Sequence, residues 1–166
     1  MKRLLVAGLA LALLVPACAL AQSAFNGTWK TDVSSIQGTG RPIVFHLKDG
    51  MFECNCVPPV KVKADGEDHA VTGHPGFDTV AVKVLNDNSF QETHKKNGKV
   101  VGTMTFTVAT DDKTGTYEFT NTSGASPVNG KLVFDRADKG APGSNAAAGS
   151  WKLKNFANLS ANAMTF

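Results

Sequence analysis

The chain has 166 residues, 42% of them from the set AVILMFWYC, and a formal net charge of +3. Lys2 and Arg3 in the first 21 residues supply two of those charges, so the remaining 145 residues are close to neutral, with no polybasic block. That removes any electrostatic basis for binding nucleic acid or an anionic membrane, and a chain this long buries a core without needing a metal or cofactor.

Residues 1–21 read as a signal peptide. Lys2 and Arg3 precede the apolar run Leu4 to Val15, and Ala19-Leu20-Ala21 offers a small-residue cleavage site. The run is too short to span a bilayer. The expected location is therefore periplasmic or secreted, with no membrane span. Val15-Pro16-Ala17-Cys18 loosely resembles a lipobox, so lipid attachment at Cys18 is the alternative.

Residues 22–137 are expected to form one β-rich domain, because strand and turn signals recur about every ten residues and no segment has a helical period. Ile43 to Leu47 alternates, Lys48-Asp49-Gly50 turns the chain, and Met51 to Cys56 returns. Val60-Lys61-Val62-Lys63 alternates apolar with charged, and Asp65-Gly66 marks the next turn. Thr79 to Leu85 places Val80, Val82 and Val84 on one face, and Ser89 to His94 follows the break at Asn86-Asp87-Asn88. Asn97-Gly98 is the strongest hairpin signal, since Asn-Gly suits both central positions of a type I′ turn. From Val100 to Val108 the even positions carry Gly102, Met104, Phe106 and Val108, whereas 103, 105 and 107 are threonine. Thr116 to Thr120 then turns Tyr117 and Phe119 inward, and Lys131 to Asp135 turns Leu132 and Phe134 inward.

Residues 138–149 have the Gly, Ala, Pro and Ser composition of a linker. After them, Gly149-Ser150-Trp151-Lys152 echoes Gly27-Thr28-Trp29-Lys30 at a separation of 122 positions. Residues 150–166 are expected either to begin a second repeat or to form a strand pair that closes the first domain.

Phe25-Asn26-Gly27-Thr28-Trp29-Lys30, Cys54-Asn55-Cys56-Val57-Pro58-Pro59, Val71-Thr72-Gly73-His74-Pro75 and Gly140-Ala141-Pro142-Gly143-Ser144 resemble segments of an uncharacterised family of exported bacterial proteins with tandem β-rich repeats. The chain departs from that pattern in the spacing of the cysteines and in the shortness of its second copy. The resemblance implies export and a β-rich unit, and no activity. Gly27-Thr28-Trp29 also resembles the opening strand of lipocalins. That implies a small up-and-down barrel.

Cys54 and Cys56 are the two cysteines past the leader, and export makes a disulfide the default. On a flat strand their Cα atoms would lie about 6.8 Å apart, so closure needs a bend. His46, His69, His74 and His94 show no clustered spacing and read as exposed, so no metal site is assigned. No catalytic motif is present, and Glu53 and Glu92 read as ordinary exposed strand residues. The chain reads as a non-enzyme, with no catalytic residue and no cofactor.

The expected fold is all-β, an antiparallel meander closing into a lipocalin-like barrel or barrel-like sandwich. The expected role is an exported binding module, with Val82, Phe90, Gly102, Met104, Phe106, Tyr117, Phe119 and Phe134 as candidate residues around a small apolar ligand. A small barrel either fills itself or holds one small ligand, and Gly102 is the place where its interior stays open. The alternatives are a solid barrel serving as an interaction module of the envelope, or metal or redox work at Cys54 and Cys56. Ser150 to Phe166 could add as a strand to a partner's sheet.

Overall fold

Residues with alternating polarity pair into strands that turn one face inward. The computed structural model describes residues 40–160, among which there are ten antiparallel strands and no helix. In chain order they are β1 (Ile43–Lys48), β2 (Met51–Cys54), β3 (Val60–Lys63), β4 (Asp65–Ala70), β5 (Thr79–Asn86), β6 (Ser89–Lys96), β7 (Lys99–Val108), β8 (Thr114–Asn121), β9 (Val128–Lys139) and β10 (Gly149–Ala157). The leader with Cys18, and the segment Gly27-Thr28-Trp29, lie outside the described residues.

Hydrogen-bonded neighbours run β3-β2-β1-β10-β9-β8-β7-β6-β5-β4. The two ends of that order are adjacent in the chain: β3 pairs with β2 up to Lys63 and Met51, β4 pairs with β5 from Asp65 and Lys83, and Ala64 alone lies between. One run of chain thus changes partner at Ala64 and draws the two edges together. The sheet curls into a nearly closed barrel, the all-β antiparallel architecture expected from the alternation.

Two hairpins have both central residues at positive φ, Asp49-Gly50 at 52° and 73° and Asn97-Gly98 at 50° and 75°. That is the geometry of a type I′ turn, whose twist matches the strands it joins. The turn expected at Asp65-Gly66 is instead the start of β4, with a bulge between Asp65 and Asp68 and Gly66 at φ 83°. β4 shows no apolar alternation because nearly all its side chains are exposed, and backbone pairing with β5 holds it in place.

One end of the barrel is filled with rings. Phe45, Phe52, Phe90, Phe106 and Trp151 are fully buried. Phe106 lies edge-on to Phe45 at 5.1 Å and to Trp151 at 5.0 Å, and Phe45 meets Phe90 at 5.2 Å. Each buried ring is worth about 1.5–3 kcal/mol of burial, and each edge-to-face pair about 0.5–1.5 kcal/mol more. Val82 and Phe134 belong to the same buried core.

The stretch 138–149, expected as a linker, is part of this packing. Asp138 and Lys139 finish β9, Gly149 opens β10, and Ala147 and Ala148 are buried. The Asn145 and Ala146 backbone amides donate to Leu47 O at 3.0 Å and Asp87 O at 2.8 Å, and the Trp151 indole donates to Ala147 O at 3.0 Å. Small residues give a linker-like composition, but here their size lets the backbone lie directly on the end of the barrel. The segment from Ser150, expected to offer an edge to a partner strand, likewise enters the sheet. Gly149 to Trp151 is held between β1 and β9, and β9 stays paired as far as Ala157. Strand addition through those first residues is therefore blocked by the chain's own strands.

Candidate functional site

Strand register stacks three rows of inward residues across β6, β7 and β8. The first is Phe90, Phe106 and Tyr117; the second is Glu92, Met104 and Phe119; the third is His94, Gly102 and Asn121. The first row completes the ring-filled end. The other two bring a carboxylate, an imidazole and a glycine into the opposite half of the barrel.

Glu92 is 5% exposed and sits beside Val82 and Met104 in the ladder. Its two oxygens are used separately: the Tyr117 hydroxyl donates to Oε1 at 2.5 Å, and His94 Nε2 lies 3.1 Å from Oε2. Burying a carboxylate this deeply is costly unless it is hydrogen-bonded, and these two donors are what offset that cost. Burial first, and the neighbouring Glu92 second, push the Tyr117 phenol well above its ordinary range, so it remains a donor.

The His94 ring stacks on Phe77 at 3.9 Å, and Phe77 stacks on His74 at 4.4 Å. Desolvation, with His94 as the lesser cause, lowers the His74 pKa, which favours the neutral ring. His74 Nε2 is buried without a hydrogen-bond partner among the described residues.

Beside this stack is a pocket of about 240 Å³ whose walls include Phe77, His94, Gly102, Met104, Phe119 and Asn121. No Lys, Arg, Asp or Glu lines it. A Cβ added at Gly102 would find its nearest neighbour, Thr120 O, at 3.6 Å, an ordinary van der Waals contact, so a methyl group fits there without a clash. A larger depression of about 420 Å³ lies elsewhere, along Thr103, Thr105, Glu118, Asn129 and Lys131. None of its lining residues is bonded to a buried carboxylate, whereas His94 in the first pocket is hydrogen-bonded to Glu92, which makes the His94 pocket the stronger candidate.

Of the candidate residues drawn from the sequence, Gly102, Met104 and Phe119 line the pocket, and Tyr117 reaches it only through Glu92 and His94. Val82, Phe90, Phe106 and Phe134 are buried filling and do not line it. The reading of Glu92 and His94 as exposed is corrected. Both share the parity of Phe90 on β6, and that parity was the signal that could have found them. Phe77 and His74 come from the loop before β5, where no periodicity marks them. Glu53 does lie on the outer face, paired with Lys61 at 2.6 Å, so it and Glu92 form no carboxylate pair.

Cys54 and Cys56 are joined as a disulfide, with Cα atoms 5.2 Å apart. The approach is closer than on a flat strand because β2 ends at Cys54, and the Asn55 side chain fixes the bend by donating to Pro42 O at 3.0 Å and accepting from Val44 N at 2.8 Å. No group of three or more His, Cys, Asp or Glu side chains among the described residues could hold a metal ion.

No protein-family model matches the chain, and neither the curated proteins nor the solved structures give a significant match.

Proposed function

We propose that the His94 end of the barrel binds one small, largely apolar molecule, and that the protein is an exported binding module. The observation behind this is Glu92, a carboxylate kept inside an apolar barrel by Tyr117 and by His94, whose ring forms part of the wall of an open pocket. A barrel selected only for stability would do as well with an apolar side chain there, since replacing a buried charge network by hydrophobic residues is often neutral or stabilising. The pocket, at about 240 Å³, is smaller than the roughly 300–1,000 Å³ typical of drug-sized ligands. Its occupant is accordingly small. The Cys54–Cys56 disulfide fits an oxidising compartment, as does the signal-like leader.

Toluene serves as a test probe, read through the methyl resonance of Met104 in methyl-labelled protein. A saturable shift in the wild type, absent in Gly102→Phe with the fold retained, is the expected result. No shift at any toluene concentration would overturn the binding reading.

A further inference from the structure

We infer that the molecule held at the His94 end of the barrel is a small neutral alcohol or phenol whose hydroxyl binds the His94 imidazole, and this rests on the binding reading above. His94, Gly102 and Asn121 form one row across β6, β7 and β8, and all three line the pocket. Gly102, in the middle of that row, has no side chain, so the imidazole and the carboxamide flank a gap between them. His94 Nε2 is engaged with Glu92 at 3.1 Å, and the ring is stacked on Phe77. What the ring has left is Nδ1, which has no hydrogen-bond partner among the described residues and is not sealed from solvent. Across the gap, Asn121 Oδ1 accepts from the Ser123 amide at 2.9 Å and from the Ser123 hydroxyl at 2.6 Å. Its NH2 group is left without a partner among the described residues.

An imidazole nitrogen accepts a hydrogen bond when it carries no proton and donates one when it does. An ammonium suits only the first form, and a carboxylate only the second. A hydroxyl suits both, because it has one proton to give and two lone pairs, and in either case its oxygen can also take an Asn121 N–H. The assignment therefore requires no particular charge on His94 or Glu92. No Lys, Arg, Asp or Glu lines the pocket, so a charged head group would lose its water without a permanent opposite charge to meet it. Val101, Met104 and Phe119 offer apolar surface to the carbon body of the ligand.

Phenol and toluene have nearly the same shape and differ in the hydroxyl. Each is titrated into the full protein while following the Met104 methyl resonance and the nitrogen resonances of the His94 ring. Phenol is expected to bind within about threefold of toluene, because its hydrogen bonds offset the water lost from the hydroxyl, and to shift Nδ1 where toluene does not. A pocket without such partners would hold phenol about tenfold or more weaker than toluene, the cost of an unmet buried polar group. That result, or phenol bound with Nδ1 unmoved, overturns the hydroxyl assignment and leaves the pocket reading in place. Asn121 is exposed, and Asn121→Ala should lower the phenol-to-toluene affinity ratio about threefold. An unchanged ratio overturns the part given to Asn121. Benzoate or benzylammonium binding more tightly than benzyl alcohol overturns the assignment of a neutral ligand. If neither toluene nor phenol binds, both readings fail.

Discussion

Glu92 on β6 and Tyr117 on β8 meet over the intervening β7, phenol to carboxylate at 2.5 Å, although their strands are not paired with each other. Glu92 shares its row with Met104 and Phe119, while Tyr117 belongs to the row below. The length of the phenol spans that diagonal. The bond therefore ties the ring-filled half of the barrel to the half with the pocket.

Tyr117→Phe should leave Glu92 Oε1 buried without its donor. The expected cost is about 1–3 kcal/mol by chemical denaturation, the penalty for an unmet buried polar group. A change well below that would mean that water or another donor replaces the phenol.

Tyr117 is the only tyrosine in the chain, so phenolate absorbance reports on it alone. Its folded pKa is raised by burial and by Glu92. The folded state keeps the proton that the unfolded state loses, so this contribution is full below the unfolded value of about 10 and declines as pH rises past it. Phenolate should appear only together with loss of the β-sheet circular dichroism signal. Ionisation near the ordinary value in a still folded protein would contradict the burial of this group.

Two inward glycines should respond differently to alanine. At Gly115 a Cβ would lie 2.5 Å from Phe106 and 2.9 Å from Trp151, both buried rings with nowhere to move. Gly115→Ala is expected to destabilise by about 1–3 kcal/mol through overpacking. At Gly102 the nearest atom is 3.6 Å away, and Gly102→Ala should change stability by no more than about 0.5 kcal/mol. Thermal unfolding of the two variants measures directly which end of the barrel is full.

The strands were legible wherever one face is apolar and the other polar, as on β7 with its threonines and on β5 with its valines. β4 was not, because Asp65 to Ala70 is held by backbone pairing with β5 and by polar contacts such as Lys95 with Asp68, neither of which leaves an apolar alternation in the side-chain pattern. Gly102 stood out in the sequence because it interrupts a row of large inward residues, and it lies in the wall of the His94 pocket. Glu92 and His94 were misread because a polar residue on an inward position is rarer than one on an outward position, and composition alone favours the common case. The aromatic stack of His74, Phe77 and His94 joins a loop to a strand, a contact that local periodicity cannot encode.

Asp111 closes the β7–β8 connection by accepting from the Lys113 amide at 2.8 Å and the Thr114 amide at 2.9 Å, and from the Thr114 hydroxyl at 2.9 Å. Those bonds hold its pKa below the usual carboxylate value. Its stabilising effect is present above the unfolded pKa of about 3.9 and is lost as pH falls through the lower folded value. Asp111→Ala should lower the melting temperature at neutral pH and flatten its decline in acid. Parallel acid profiles for variant and wild type would show that the turn is held by something else.

Arg136 ties the Ala146 to Ala148 loop to the filled end of the barrel. It stacks over Trp151 at 4.0 Å and donates to Ala146 O at 2.8 Å, Ala148 O at 3.0 Å, Asp112 O at 2.8 Å and Asp112 Oδ1 at 2.8 Å. Its side chain is only 7% exposed, so these contacts are poorly replaced by water. Arg136→Met keeps the apolar stem over Trp151 but removes every donor, and the expected loss is about 2–3 kcal/mol. Arg136→Lys keeps the charge but not the planar fork, which places its stability between the two. Amide exchange at Asn145 to Ala148 should accelerate in both variants, more in Met than in Lys. Unchanged exchange there, with the same global loss of stability, would assign the contribution of Arg136 to its packing on Trp151 and not to holding the loop.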